Sequence, residues 1–116
     1  MSDKPLVWVG GALEDLRVFP GDARRRAGYQ LRRVQAGLMP DDWKPLVTVG
    51  PGVQEIRIHS GLEHRVCYVA RFDEAVYVLH AFEMRSRQTR QADLDLVRAR
   101  LREVERRHRR CQGDPW

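Results

Sequence analysis

Residues 53–59, Val53-Gln54-Glu55-Ile56-Arg57-Ile58-His59, alternate in character with a period of two. Ile56 and Ile58 fall on one face and Glu55, Arg57 and His59 on the other, as in a strand with one apolar side. Ser60-Gly61 turns the chain into a second strand, His64–Arg71, and Phe72-Asp73-Glu74-Ala75 turns it into a third, Val76–Phe82. Three consecutive strands with short connections predict an antiparallel meander.

Outward from the meander the period changes. Ala23, Ala27, Leu31, Val34 and Leu38 recur at steps of four, four, three and four, which predicts a helix over 21–37. Asp22 complements the dipole at its start and Gly37 is a stop signal. Before it come a strand at Leu6-Val7-Trp8-Val9 and a short helix over 12–17, ended by Pro20-Gly21. Residues 38–52, with Pro40, Pro45, Gly50, Pro51 and Gly52, predict a loop with one extended piece at Leu46–Val49. On the C-terminal side Leu94, Val97, Leu101 and Val104 predict a helix over 91–110 whose other faces are Arg-rich. The fold class is α+β, a single domain with an N-terminal strand and two helices, the three-strand meander and a C-terminal helix. The first two helices are expected to cover one sheet face, the other to be left partly open, and residues 106–116 to form a flexible basic tail.

The 116 residues carry 21 basic and 16 acidic side chains, and only Lys4 and Lys44 among the basic ones are lysine. Residues 85–110 hold ten Arg against Asp93, Asp95, Glu103 and Glu105, so the whole basic excess lies in that quarter. Length admits one core and no second domain. With 42% hydrophobic residues, disorder of the whole chain is excluded. No apolar run approaches a membrane span, and a cytoplasmic, membrane-free protein is expected. Cys67 and Cys111 lack metal-like spacing, so two thiols are expected, with no metal and no cofactor.

Arginine's planar, permanently charged fork suits phosphate oxygens. If the meander pairs as predicted, Arg57, Arg65 and Arg85 converge near one end of the sheet; as an alternative, each is a solvated surface residue. His80, inside the third strand, is either a proton-transfer group or a partly buried residue with one hydrogen bond. The last helix, with Arg98 and Arg102 among its cations, points to an anionic partner, although a charge run also serves as a plain solvated face.

Trp43-Lys44-Pro45-Leu46, Gly50-Pro51-Gly52-Val53-Gln54-Glu55-Ile56-Arg57-Ile58, Arg65-Val66-Cys67-Tyr68 and Val78-Leu79-His80-Ala81-Phe82 stand in order at fitting separations. Together they resemble the HigB-like, phage-derived branch of the RelE/ParE/HigB toxin superfamily, over about residues 5–105. The resemblance implies a small toxin neutralised by a cognate antitoxin, often a helix-turn-helix protein, and in many members a ribosome-dependent endoribonuclease that cuts mRNA. It matches the family's basic strand position to Arg57, the arginine of its Arg-x-x-Tyr strand to Arg65, its basic pair after the last strand to Arg85 and Arg87, and its histidine to His80. The sequence departs from the family at Met84-Arg85, where a Lys-Lys pair is common, and at Thr89-Arg90, where Thr-Pro is usual. It also has no aromatic residue between Phe82 and Trp116.

On this reading Arg57, Arg65 and Arg85 orient a phosphate and stabilise its transition state, His80 or Glu55 transfers a proton, and Arg87, Arg90, Arg98 and Arg102 hold RNA backbone. The partners are the antitoxin and the ribosome with its mRNA. Two alternatives stay open: a ParE-like DNA gyrase inhibitor, and a non-catalytic module that binds an antitoxin.

Overall fold

The computed structural model describes residues 3–84 and 90–111. Its order is β1 (Leu6–Trp8), α1 (Ala12–Arg17), α2 (Gly21–Gln35), β2 (Trp43–Pro45), β3 (Val53–Ser60), β4 (Leu62–Val69), β5 (Val76–Met84) and α3 (Gln91–Cys111). The strands form one five-stranded sheet in the order β1-β5-β4-β3-β2. The predicted meander is β3-β4-β5, each pair antiparallel. To it are added β1, parallel to β5, and β2, antiparallel to β3.

The short second strand lies at Trp43–Pro45 and not at Leu46–Val49. Pro45 is tolerated because β2 is an edge strand, where one side of the backbone needs no donor. Leu46 and Val49 are both buried while Val47 is 80% exposed, a spacing of three that belongs to a turn. The amides of Val49 and Gly50 both donate to the Leu46 carbonyl.

Two cores sandwich the sheet. On one face Ala12 and Leu16 of α1 and Ala23, Ala27, Leu31 and Val34 of α2 pack on Ile56, Ile58, Val66, Tyr68, Val76 and Val78. The other face, expected to be partly open, is covered by α3 through Val97, Leu101 and Val104. Gly50 makes that packing possible, since a Cβ there would come 2.3 Å from Leu101 Cδ2. Helix α3 continues to Cys111, so residues 106–111 of the expected flexible tail extend the helix.

A bulge decides which side chains of β5 face α3. Tyr68 pairs with Val78 but Cys67 with His80, which leaves Leu79 as an extra residue. Tyr77 and Leu79 face the α3 core; beyond the bulge the parity switches, so Ala81 turns to the α1/α2 core and Phe82 to the α3 core.

Candidate phosphate-binding site

At one end of the α3 face a cleft of about 360 Å³ opens between β2, β3, β4 and the start of α3, lined by Lys44, Arg57, Arg65, Arg90 and Met84 among others. Strand register explains the convergence. Arg57 and Arg65 are directly opposed in the β3–β4 ladder, and Lys44 is opposed to Glu55 in the β2–β3 ladder. All four residues therefore project to the same face of the sheet. Arg90 enters from the residue before α3.

Glu55 lies beneath these cations, with no exposed surface. A buried carboxylate needs compensating charge. Arg90 supplies it through both terminal nitrogens: Nη1 donates to Oε1 at 3.2 Å, and Nη2 donates to Oε2. Arg65 adds its Nε, 3.6 Å from Glu55 Oε1. Its Nη1 donates to the His64 carbonyl at 3.1 Å and to Glu63 Oε1 at 3.4 Å. Beside Glu55 the thiol of Cys67 is buried, and burial together with the Glu55 charge pushes its pKa well above the usual thiol range. Cys67 is thus an inert part of the floor.

Arg57 differs from its neighbours. Among the described residues it makes no ion pair, whereas Arg65 and Arg90 both pair with Glu55; its Nε, like that of Arg65, is buried without a hydrogen-bond partner. Lys44 is exposed at the mouth. The cleft therefore holds two cations fixed by a buried carboxylate and two whose charge is uncommitted. That arrangement can grip a phosphate from several sides.

The other expected site residues divide. Arg85 and Arg87 lie outside the described residues. Arg90, expected to bind RNA backbone, is inside the cleft and clamps Glu55. Arg98 lies against Asp95 at 3.0 Å and Arg102 is exposed on α3. His80 is not in the cleft lining. Its ring stacks on Phe82 at 5.2 Å, its Nδ1 lies 3.2 Å from Asp15 Oδ2 of α1, and its Nε2 lies 2.7 Å from Asp93 Oδ1 of α3. The Arg90 guanidinium sits 5.6 Å over the other neighbour of that stack, the Phe82 ring. Lys44 is the cleft residue that sequence reasoning left without a role. The signal lay in β2, whose register places Lys44 opposite Glu55.

Residues 14–102 match the family described as phage-derived protein Gp49-like (DUF891). The chain belongs to the phage-derived Gp49-like family. That family is of the RelE/HigB-like toxin type, so the resemblance read from the sequence and the family match agree at this level. No curated protein matches the chain. The matched span of the Gp49-like protein contains Lys44, Arg57, Arg65 and Arg90, the cations that line the cleft among the described residues, and the buried Glu55 beneath them. No helix of the described residues is long and apolar enough to cross a membrane.

Proposed function

We propose that this Gp49-like protein is the toxin of a type II toxin–antitoxin pair and acts as a ribosome-dependent mRNA endoribonuclease in the cytoplasm. The observation that carries the reading is the convergence of Lys44, Arg57, Arg65 and Arg90 on one cleft around the buried Glu55. A gyrase binder has no need of such a cleft, whereas cutting RNA requires it.

RNA carries its own nucleophile. The 2′-oxygen attacks the adjacent phosphorus, the bond from phosphorus to the 5′-oxygen breaks, and the products are a 2′,3′-cyclic phosphate and a 5′-hydroxyl. One proton leaves the 2′-OH and one reaches the departing 5′-oxygen. The protein has to align the three atoms and stabilise charge on the nonbridging oxygens. Arg57 and Arg65 are assigned that charge, joined by Arg85 from the segment after β5. Glu55 holds the guanidinium groups of Arg65 and Arg90 in place, and His80, between two carboxylates, ties α1 to α3 behind them. Of the two proton-transfer candidates, Glu55 is the nearer to the phosphate site and His80 acts on it through Phe82 and Arg90. Arg87, Arg98 and Arg102 are assigned to holding RNA backbone, a salt-sensitive role. The antitoxin encoded beside the toxin, a helix-turn-helix protein in this reading, restrains it.

Inducible expression with mapping of transcript 5′ ends is the test, run with and without the neighbouring gene. New 5′-hydroxyl ends inside translated messages, lost in an Arg65→Ala variant of native fold, are expected. DNA damage without transcript cleavage would move the protein to the gyrase class.

A further inference from the structure

A second groove of about 370 Å³ lies on the opposite side of β3, between α2 and the segment leading into β2, and Arg57 lines both it and the cleft. The β2–β3 ladder ends at Ile56, and beyond it the Arg57 amide donates to the Asp42 carbonyl at 2.8 Å, which sets the segment leading into β2, one wall of the groove, beside Arg57. The groove has an aromatic wall, Tyr29, which is 58% exposed in the middle of α2. One turn before it stands Arg25, also exposed. Neither Arg25 nor Tyr29 makes a hydrogen bond or ion pair among the described residues.

The acidic groups of the groove are already engaged. Asp41 receives the Gln30 amide at 2.8 Å and donates its own backbone N–H to Gln30 Oε1 at 2.8 Å. Asp42 Oδ2 lies 2.5 Å from His59 Nε2. What faces an incoming ligand is therefore a tyrosine ring flanked by two guanidinium groups, Arg57, which makes no ion pair among the described residues, and Arg25, whose charge acts on Asp22 without a direct ion pair. An unstacked nucleobase lies flat on an aromatic ring, and the phosphates on either side of it seek arginine. Helix α2 reinforces the choice, with five Arg and one Asp between Gly21 and Gln35.

We propose that this groove binds the single-stranded RNA nucleotide next to the scissile phosphate, its base stacked on Tyr29 and its phosphate shared between Arg25 and Arg57. The proposal rests on the ribonuclease reading and adds to it a path for the strand, from the cleft across Arg57 onto α2. Tyr29 is a positioning residue in this scheme. It touches no reacting atom and sets how tightly, and at which nucleotide, the RNA is held.

The experiment compares the full chain with Tyr29→Ala, Tyr29→Phe and Arg25→Gln in two measurements: cleavage of mRNA on programmed ribosomes, and binding of a labelled single-stranded RNA hexanucleotide by fluorescence anisotropy. Tyr29→Ala is expected to raise KM and weaken hexanucleotide binding about tenfold with kcat little changed, while Tyr29→Phe, which keeps the ring, behaves as wild type. Arg25→Gln should weaken binding and flatten its salt dependence. If wild type cuts and Tyr29→Ala cuts and binds equally well, the groove proposal is overturned and the ribonuclease reading stands. If wild type does not cut but the hexanucleotide still binds through Tyr29, the groove stands and the ribonuclease reading fails. If Tyr29→Ala handles RNA normally but escapes neutralisation by the product of the neighbouring gene, the groove belongs to a protein partner and the proposal is likewise overturned.

Discussion

Arg57 and Arg65 are directly opposed across the β3–β4 ladder, and the Nε of each is buried without a hydrogen-bond partner. Like charges directly opposed on a sheet are destabilising, by up to about 1 kcal/mol. A fold that keeps them there holds charge in readiness for an anion. Arg57→Gln should therefore stabilise the free protein by about 0.5 kcal/mol and reduce mRNA cleavage about a hundredfold. Urea denaturation and single-turnover cleavage read the two effects. Loss of stability together with loss of activity would show that Arg57 has a structural role.

Glu55 is the counterweight. Its carboxylate is fully buried and clamped by Arg90, with Arg65 beside it. Removing one partner of a buried ion pair leaves the other uncompensated, at a cost of about 3 kcal/mol or more. Glu55→Gln should thus lower the urea midpoint far more than Arg57→Gln changes it. The double variant Glu55→Gln/Arg90→Gln should recover part of the loss, because the guanidinium stranded by the single change is gone. Additivity of the two single effects would mean that the clamp carries no coupling energy.

Much of this arrangement was legible in the chain. The period-two alternation of Val53–His59 places Glu55 and Arg57 on one face, and Arg65 follows from a hairpin whose turn, Ser60-Gly61, is written in the sequence. The four-four-three spacing of Ala23, Ala27, Leu31 and Val34 marks the buried stripe of α2, and all four are buried. What escaped were long-range facts. The pairing of β1 with β5 joins segments about 70 residues apart, and three residues carry too little pattern to name a partner. The bulge at Leu79 leaves no trace in composition, yet it sets the side of the sheet on which His80 and Phe82 lie. The burial of Glu55 beneath arginines depends on α3 delivering Arg90, which no spacing within β3 can announce.

His80 offers a direct check of that bulge. With a carboxylate on each ring nitrogen and only 6% of its surface exposed, it links α1 to α3. His80→Ala should cost about 1–2 kcal/mol by removing the His80 partner of Asp93 and leaving Asp15 to Arg100 alone, 3.5 Å away. The pH–rate profile of a His80→Gln variant should match wild type. A profile that loses a limb would give His80 the proton-transfer role.

His59 gives the fold a pH-dependent tie. Hydrogen bonds to Asp42, 2.5 Å from Nε2, and to Glu63, 2.7 Å from Nδ1, hold its pKa above the usual imidazole range, and His59 in turn holds Glu63 below the usual carboxylate range. A raised folded-state histidine pKa gives stability that is complete below the unfolded value and lost as pH rises through the folded one. The lowered Glu63 contributes in the opposite sense, with stability present above the ordinary carboxylate range and lost in acid. The tie is therefore strongest between the two ranges. Wild type should lose more stability than His59→Gln between about pH 6 and about pH 9 in urea titrations. Parallel losses would remove His59 from the linkage.

Gly28 lies mid-helix in α2, exposed, and a Cβ added there would meet nothing within 4 Å. Glycine in a helix interior is less stable than alanine by about 0.5–1 kcal/mol, because it loses more backbone freedom on folding. No contact among the described residues requires it. Gly28→Ala should therefore raise stability by about that amount, read as a higher thermal midpoint. The adjacent residue is Tyr29, so the same variant reports on the groove: an RNA backbone that approaches α2 closely there would meet the new methyl group. Higher stability with weaker hexanucleotide binding is the expected pair of outcomes. Higher stability with unchanged binding would place the RNA path further from the helix axis, on the Arg25 and Arg57 guanidinium groups alone.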